Sequence, residues 1–103
     1  MAAVPALAHA VLKKALPAAG SLVAGPALTI ELRFNTRIDP KRSRISLVTP
    51  DHQTMLLTVG EQTSPESIIA PVKGLLAGEY LVRWQVLASD GHITRGEYSF
   101  RVK

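Results

Sequence analysis

The sequence contains no cysteine, so neither a disulfide framework nor a thiolate metal site can be built from it. Aromatic residues make up only 5%, which leaves a core to be filled mainly by Val, Leu, Ile and Ala. No apolar run approaches the roughly 18 to 20 residues needed to cross a bilayer, because Arg, Lys, Glu, Pro or Gly interrupts each hydrophobic stretch. The seven glycines are scattered singly, so a glycine-rich phosphate loop is missing. Ser, His and Asp are present, but no Gly-x-Ser-x-Gly elbow sets them up for nucleophilic catalysis. Neither an internal repeat nor a segment of helical period is found.

What is present fits one all-β domain. A length of 103 residues leaves no room for a second core, and 47% hydrophobic residues are ample for one. Leu28, Ile30, Leu32 and Phe34 alternate with Thr29, Glu31 and Arg33, the pattern of a half-buried strand led in by Pro26. Shorter β-prone runs follow at 44–48, 55–59 and 67–72, punctuated by Pro40, Pro50-Asp51, Gly60 and Ser64-Pro65. The strongest pair is 79–88 and 93–102, with Tyr80, Val82, Trp84 and Val86 on one face and Tyr98, Phe100 and Val102 in phase on the other strand. Strands at this spacing predict a sandwich or barrel, with Trp84 and Tyr98 as core residues rather than a stacking platform.

The net charge of +4 suits an anionic partner only weakly. Lys41, Arg42 and Arg44, with Arg33 and Arg37 nearby, form a basic group without interleaved aromatics or a binding motif. It reads as a solvated face, able at most to dock an acidic partner; no nucleic-acid function is expected.

Asp90 and His92 flank Gly91 between two alternating runs, where Asp-Gly is a strong hairpin signal. Two readings are open. Asp90 can simply cap backbone amides beside an idle surface histidine, or both side chains can face one metal ion from the same corner. His9 bears on the choice. It follows Ala6-Leu7-Ala8, the small-x-small form cut by a signal peptidase, although no basic start or full apolar region precedes it. Residues 1–8 are read as the remnant of an export signal and 9–103 as the domain, the alternative being a plain Ala-rich terminus. A histidine freed as first residue offers its α-amine and Nδ1 to one metal. With His92 and Asp90 this makes an N,N,N,O set, which favours Cu(II). His52 and Met55, three apart, are a weaker candidate pair for the soft ion Cu(I); the plainer reading is a surface histidine beside a core methionine.

The run from Leu76-Ala77-Gly78-Glu79-Tyr80 through Val82, Trp84 and Val86 to Ser89-Asp90-Gly91-His92, continuing to Gly96, Tyr98, Phe100 and Val102, resembles the signature of the copper-resistance protein C (CopC) family. His9, Leu16-Pro17-Ala18 and Gly20-Ser21 are similar to that family's opening, so the resemblance covers nearly all of the chain from His9. It implies an immunoglobulin-like Greek-key β-sandwich of about seven strands. It further implies a periplasmic, non-enzymatic and monomeric carrier, with Cu(II) on His9, Asp90 and His92, working in copper resistance or homeostasis beside a CopD-type inner-membrane protein. Two departures stand out. Only His52 and Met55 remain where some members carry a methionine-rich loop, and Asn35-Thr36 follow Phe34 where many have a glutamate, so outer-sphere support for copper is expected to be weaker or differently arranged. A histidine-brace copper oxidase and a metal-free immunoglobulin-like interaction module are the competing readings.

Overall fold

Two face-to-face sheets make up the structure, a computed structural model in which residues 10–103 are described. The strands are β1 (Leu12–Leu16), β2 (Leu22–Val23), β3 (Leu28–Phe34), β4 (Arg44–Val48), β5 (Thr54–Leu56), β6 (Ser67–Val72), β7 (Gly78–Leu87) and β8 (Ile93–Val102). One sheet has the order β1-β3-β6 and the other β2-β8-β7-β4-β5. Strands adjacent in sequence repeatedly switch sheets, which gives an immunoglobulin-like β-sandwich. A short 3-10 turn, Pro40–Arg42, is capped by the Asp39 side chain.

The alternation seen in the sequence is the alternation of burial. Ile30, Leu32 and Phe34 of β3, Ile68 and Ala70 of β6, Ile45 and Leu47 of β4, and Val82 and Val86 of β7 are essentially inaccessible. Burying a side chain of this kind contributes about 1.5–3 kcal/mol, so these inner faces hold the two sheets together. Tyr80 stacks on Phe100, and its hydroxyl donates to the Leu76 carbonyl four residues upstream at 2.7 Å, a tyrosine corner tying the loop before β7 to the core. At the other end Trp84 packs between Phe34 and Tyr98, its indole lying against Gly96 on the neighbouring strand.

The structure has two strands that the pattern did not announce. β1 pairs with β3 but carries a register irregularity between Leu12 and Lys14, and β2 is a two-residue parallel addition to β8. β5 is shorter than the predicted 55–59 and shifted to Thr54–Leu56. Leu57 is buried and its amide still donates to Ile45 O of β4 at 2.9 Å, and the Gly60 amide then donates to Ile69 O of the opposite sheet at 2.8 Å.

Candidate metal centre

β7 and β8 are paired residue by residue from Gly78–Val102 to Leu87–Ile93, and the connection is closed by the Ala88 amide donating to the His92 carbonyl at 2.9 Å. Within it the Gly91 amide donates to the Ala88 carbonyl at 2.9 Å, and Gly91 takes φ +89°. This is a three-residue hairpin loop ending in a left-handed glycine, which is why Gly follows Asp here. The segment between β3 and β4 buttresses the loop: Ile38 bridges to Ala88, Ser89 N donates to Arg37 O at 3.0 Å, and Asp39 N donates to Leu87 O at 2.9 Å.

Asp90 and His92 face each other across Gly91. The His92 amide donates to Asp90 Oδ1 at 3.1 Å, and His92 Nδ1 lies 3.3 Å from Asp90 Oδ2. The amide of His92 lowers the Asp90 carboxyl below its ordinary value; desolvation opposes this in part, and the His92 ring adds to the lowering. Both side chains are exposed, so the corner is accessible to an ion. Amide capping by Asp90 is realised, and the same contact sets an imidazole nitrogen and a carboxylate oxygen side by side at the corner.

A feature that sequence reading missed lies beside this loop. Ala10, which is buried, donates its amide to Thr94 Oγ1 at 3.3 Å, two residues beyond His92 on β8. Val11 N donates to Asn35 Oδ1 at 2.8 Å while Asn35 N donates to Val11 O at 3.0 Å. Asn35 thus fixes the start of the described residues against the end of β3. Its presence was the only signal in the sequence, as a departure from the expected glutamate; nothing marked Thr94.

His9 and the suggested export remnant 1–8 lie outside the described residues. Among the described residues no three His, Asp or Glu side chains converge as a metal site, so Asp90 and His92 stand as a pair. His52 and Met55 belong to the opposite end of the sandwich. His52, at φ +66°, sits in the turn after β4, and Met55 is exposed on β5 rather than in the core. β4 reaches that turn at the pair Val48–Leu81, and the six steps along β7 from Leu81 to Leu87 alone separate it from the β7–β8 loop by roughly 20 Å.

A family model, the CopC domain, matches residues 12–103. The chain belongs to the CopC family. Copper resistance protein C of Escherichia coli is 36% identical over 107 residues, a match spanning 95% of this chain and 84% of that protein. The crystal structure of CopC from Methylosinus trichosporium OB3b superposes with a TM-score of 0.83 at 33% identity, covering 92% of this chain and 94% of that one. PcoC, a methionine-rich copper resistance protein from Escherichia coli, gives 0.74 at 33% identity, covering 93% and 100%. This CopC-family chain has only two methionines, Met1 and Met55. Among its described residues no helix is long and apolar enough to cross a membrane.

Proposed function

We propose that this chain is a periplasmic Cu(II)-binding protein of copper resistance or homeostasis, holding one ion at the β7–β8 loop through His9, Asp90 and His92. The observation that carries the reading is the bond from the Ala10 amide to Thr94 Oγ1, because it places the residue next to His9 in sequence beside the loop that bears His92. Consecutive Cα atoms are about 3.8 Å apart, so the reading asks His9 to reach only a short way beyond Ala10. Cleavage after Ala8 frees the His9 amine, and the α-amine, two imidazoles and one carboxylate form a set suited to tetragonal Cu(II). Copper supplies no turnover in this role; the protein's part is to bind it and release it. The family resemblance supports a carrier that passes its ion to a CopD-type inner-membrane protein. His52 and Met55 take no part in this site and amount at most to a weak pair for Cu(I).

The deciding experiment is a calorimetric titration of Cu(II) into the chain beginning at His9 and into the chain retaining Met1. One equivalent should bind the first, far more tightly than the second, and acetylating the His9 amine should abolish the difference. Equal affinities would sink the amine ligand. Absence of binding to the processed chain would overturn the copper assignment and favour a metal-free interaction module. Intact mass of the exported protein tests cleavage after Ala8.

A further inference from the structure

The outer face of the five-stranded sheet carries a site that the copper reading does not use. A shallow depression of about 410 Å³ lies over β4, β7 and β8, and Arg44, Arg83 and Arg95 line it, with Trp84 and Gly96 beneath. Arg44 and Arg95 each pair in register with Gln85, one strand to either side, so their Cα atoms are about 10 Å apart. Arg83 lies two residues from Gln85 on the middle strand, about 7 Å away. Two of the guanidiniums are held in place through Nε: Arg95 donates to Gln85 Oε1 at 2.9 Å and Arg83 to Glu97 Oε1 at 3.2 Å. Among the described residues no hydrogen bond engages their Nη groups, and Arg44 makes no side-chain hydrogen bond or ion pair. Three oriented or unengaged guanidiniums stand against one carboxylate, Glu97.

We propose that this depression docks an extended acidic segment of a partner protein, whose alternate carboxylates engage Arg44, Arg83 and Arg95. Alternate side chains of an extended chain point the same way at about 7 Å intervals, the scale of the arginine spacing, and a guanidinium takes a carboxylate through two parallel N–H bonds. Glu97 within the depression disfavours a continuous polyanion such as nucleic acid and tolerates carboxylates that are spaced. The depression and the metal loop are neighbours along the chain of β8. Arg95 is three positions after His92, roughly 10 Å along the strand, with the half-exposed Ile93 between them. A segment seated on the arginines therefore lies beside the loop, where a partner receiving an ion would have to be. The docking surface itself requires no copper.

The probe is the peptide acetyl-Glu-Thr-Glu-Thr-Glu-amide, added to the full chain without metal and followed by NMR of the arginine Nε–H and Trp84 indole N–H signals. Shifts should concentrate at Arg44, Arg83, Arg95 and Trp84, and affinity should fall about tenfold or more in the R44E/R95E variant while R33E, on the other sheet, leaves it unchanged. Both substituted positions are exposed, and retained β-sheet circular dichroism verifies the fold of each variant. Shifts spread evenly over all arginines would overturn the proposal. So would unchanged binding by R44E/R95E, or stronger binding of an oligothymidylate at the same signals. Copper titration of R44E/R95E separates the two readings, because its Cu(II) affinity should match that of the unsubstituted chain.

Discussion

The Ala10 amide and the Thr94 hydroxyl meet at 3.3 Å across 84 positions of sequence, joining the start of the described chain to the strand that follows the β7–β8 loop. Asn35 makes the companion tie to Val11. If the proposed site depends on this clasp, Thr94→Val and Asn35→Ala should each lower stability by about 0.5–1.5 kcal/mol. They should also weaken Cu(II) binding several-fold without changing its one-to-one stoichiometry. Urea unfolding and competition against a copper chelator measure the two effects. Stability loss with unchanged affinity would assign the clasp a structural role alone.

His92→Ala removes an imidazole ligand, whereas Asp90→Asn keeps the shape of the loop and exchanges the carboxylate ligand for a neutral amide. The first should abolish tight Cu(II) binding. The second should reduce affinity by roughly 10- to 100-fold, because a neutral amide oxygen is a weaker ligand for Cu(II) than a carboxylate. Electron paramagnetic resonance should show altered nitrogen coupling in the His92 variant. An unchanged spectrum would remove the loop from the site.

The fold was legible wherever one strand face is buried and the other wet. β3, β7 and β8 alternate because Ile30, Leu32, Phe34, Val82, Val86 and Phe100 must all enter one core, and side chains of a strand point alternately to its two faces. β1 escaped the same reading because an edge strand with adjacent Lys13 and Lys14 and an irregular register has no strict period. Two-residue β2 is set by its parallel pairing with β8 and has no local signature at all. The same divide runs through the site. Asp90-Gly91-His92 could be found because its loop chemistry is local, while the contacts of Ala10, Asn35 and Thr94 exist only once the sheets pack.

Gly96 is required by a neighbour rather than by backbone conformation. A Cβ placed there would lie 2.2 Å from Cζ2 of Trp84, whose ring is confined by Phe34 and Tyr98. Gly96→Ala should therefore destabilise the fold by about 1–3 kcal/mol, the usual cost of overpacking. Trp84 is the single tryptophan, so its emission should shift in the same variant. A denaturation midpoint and emission like those of the unsubstituted chain would mean that the ring moves aside freely.

Burial raises the Tyr98 phenol to about 12, and among the described residues its buried hydroxyl has no hydrogen-bond partner. The fold then favours the protonated form. Its contribution to stability is complete below the ordinary value of 10.0 and is lost as pH rises from there through about 12. Tyr98→Phe should remove this part of the alkaline lability, and phenolate absorbance should show one fewer late-titrating group. A variant that loses stability with alkali just as steeply would place the sensitive group elsewhere.

Binding of copper should also respond to pH, in a window that identifies the ligands. Asp90 is held below the usual carboxylate range, chiefly by the His92 amide, so it stays charged at and above pH 5 and adds no slope there. A free His9 α-amine, ordinarily near 7.7 to 8.0, must lose its proton to bind, so Cu(II) affinity should fall as pH drops below about 8. The chain retaining Met1 has no such amine at His9 and should show a shallower fall. Asp90→Asn should lower affinity across the whole range yet leave the slope between about pH 6 and 8 in place. If affinity in the processed chain instead broke only in the acidic range of ordinary carboxylates, the amine would not be a ligand and the set would have to be rebuilt on Asp90 and His92 alone.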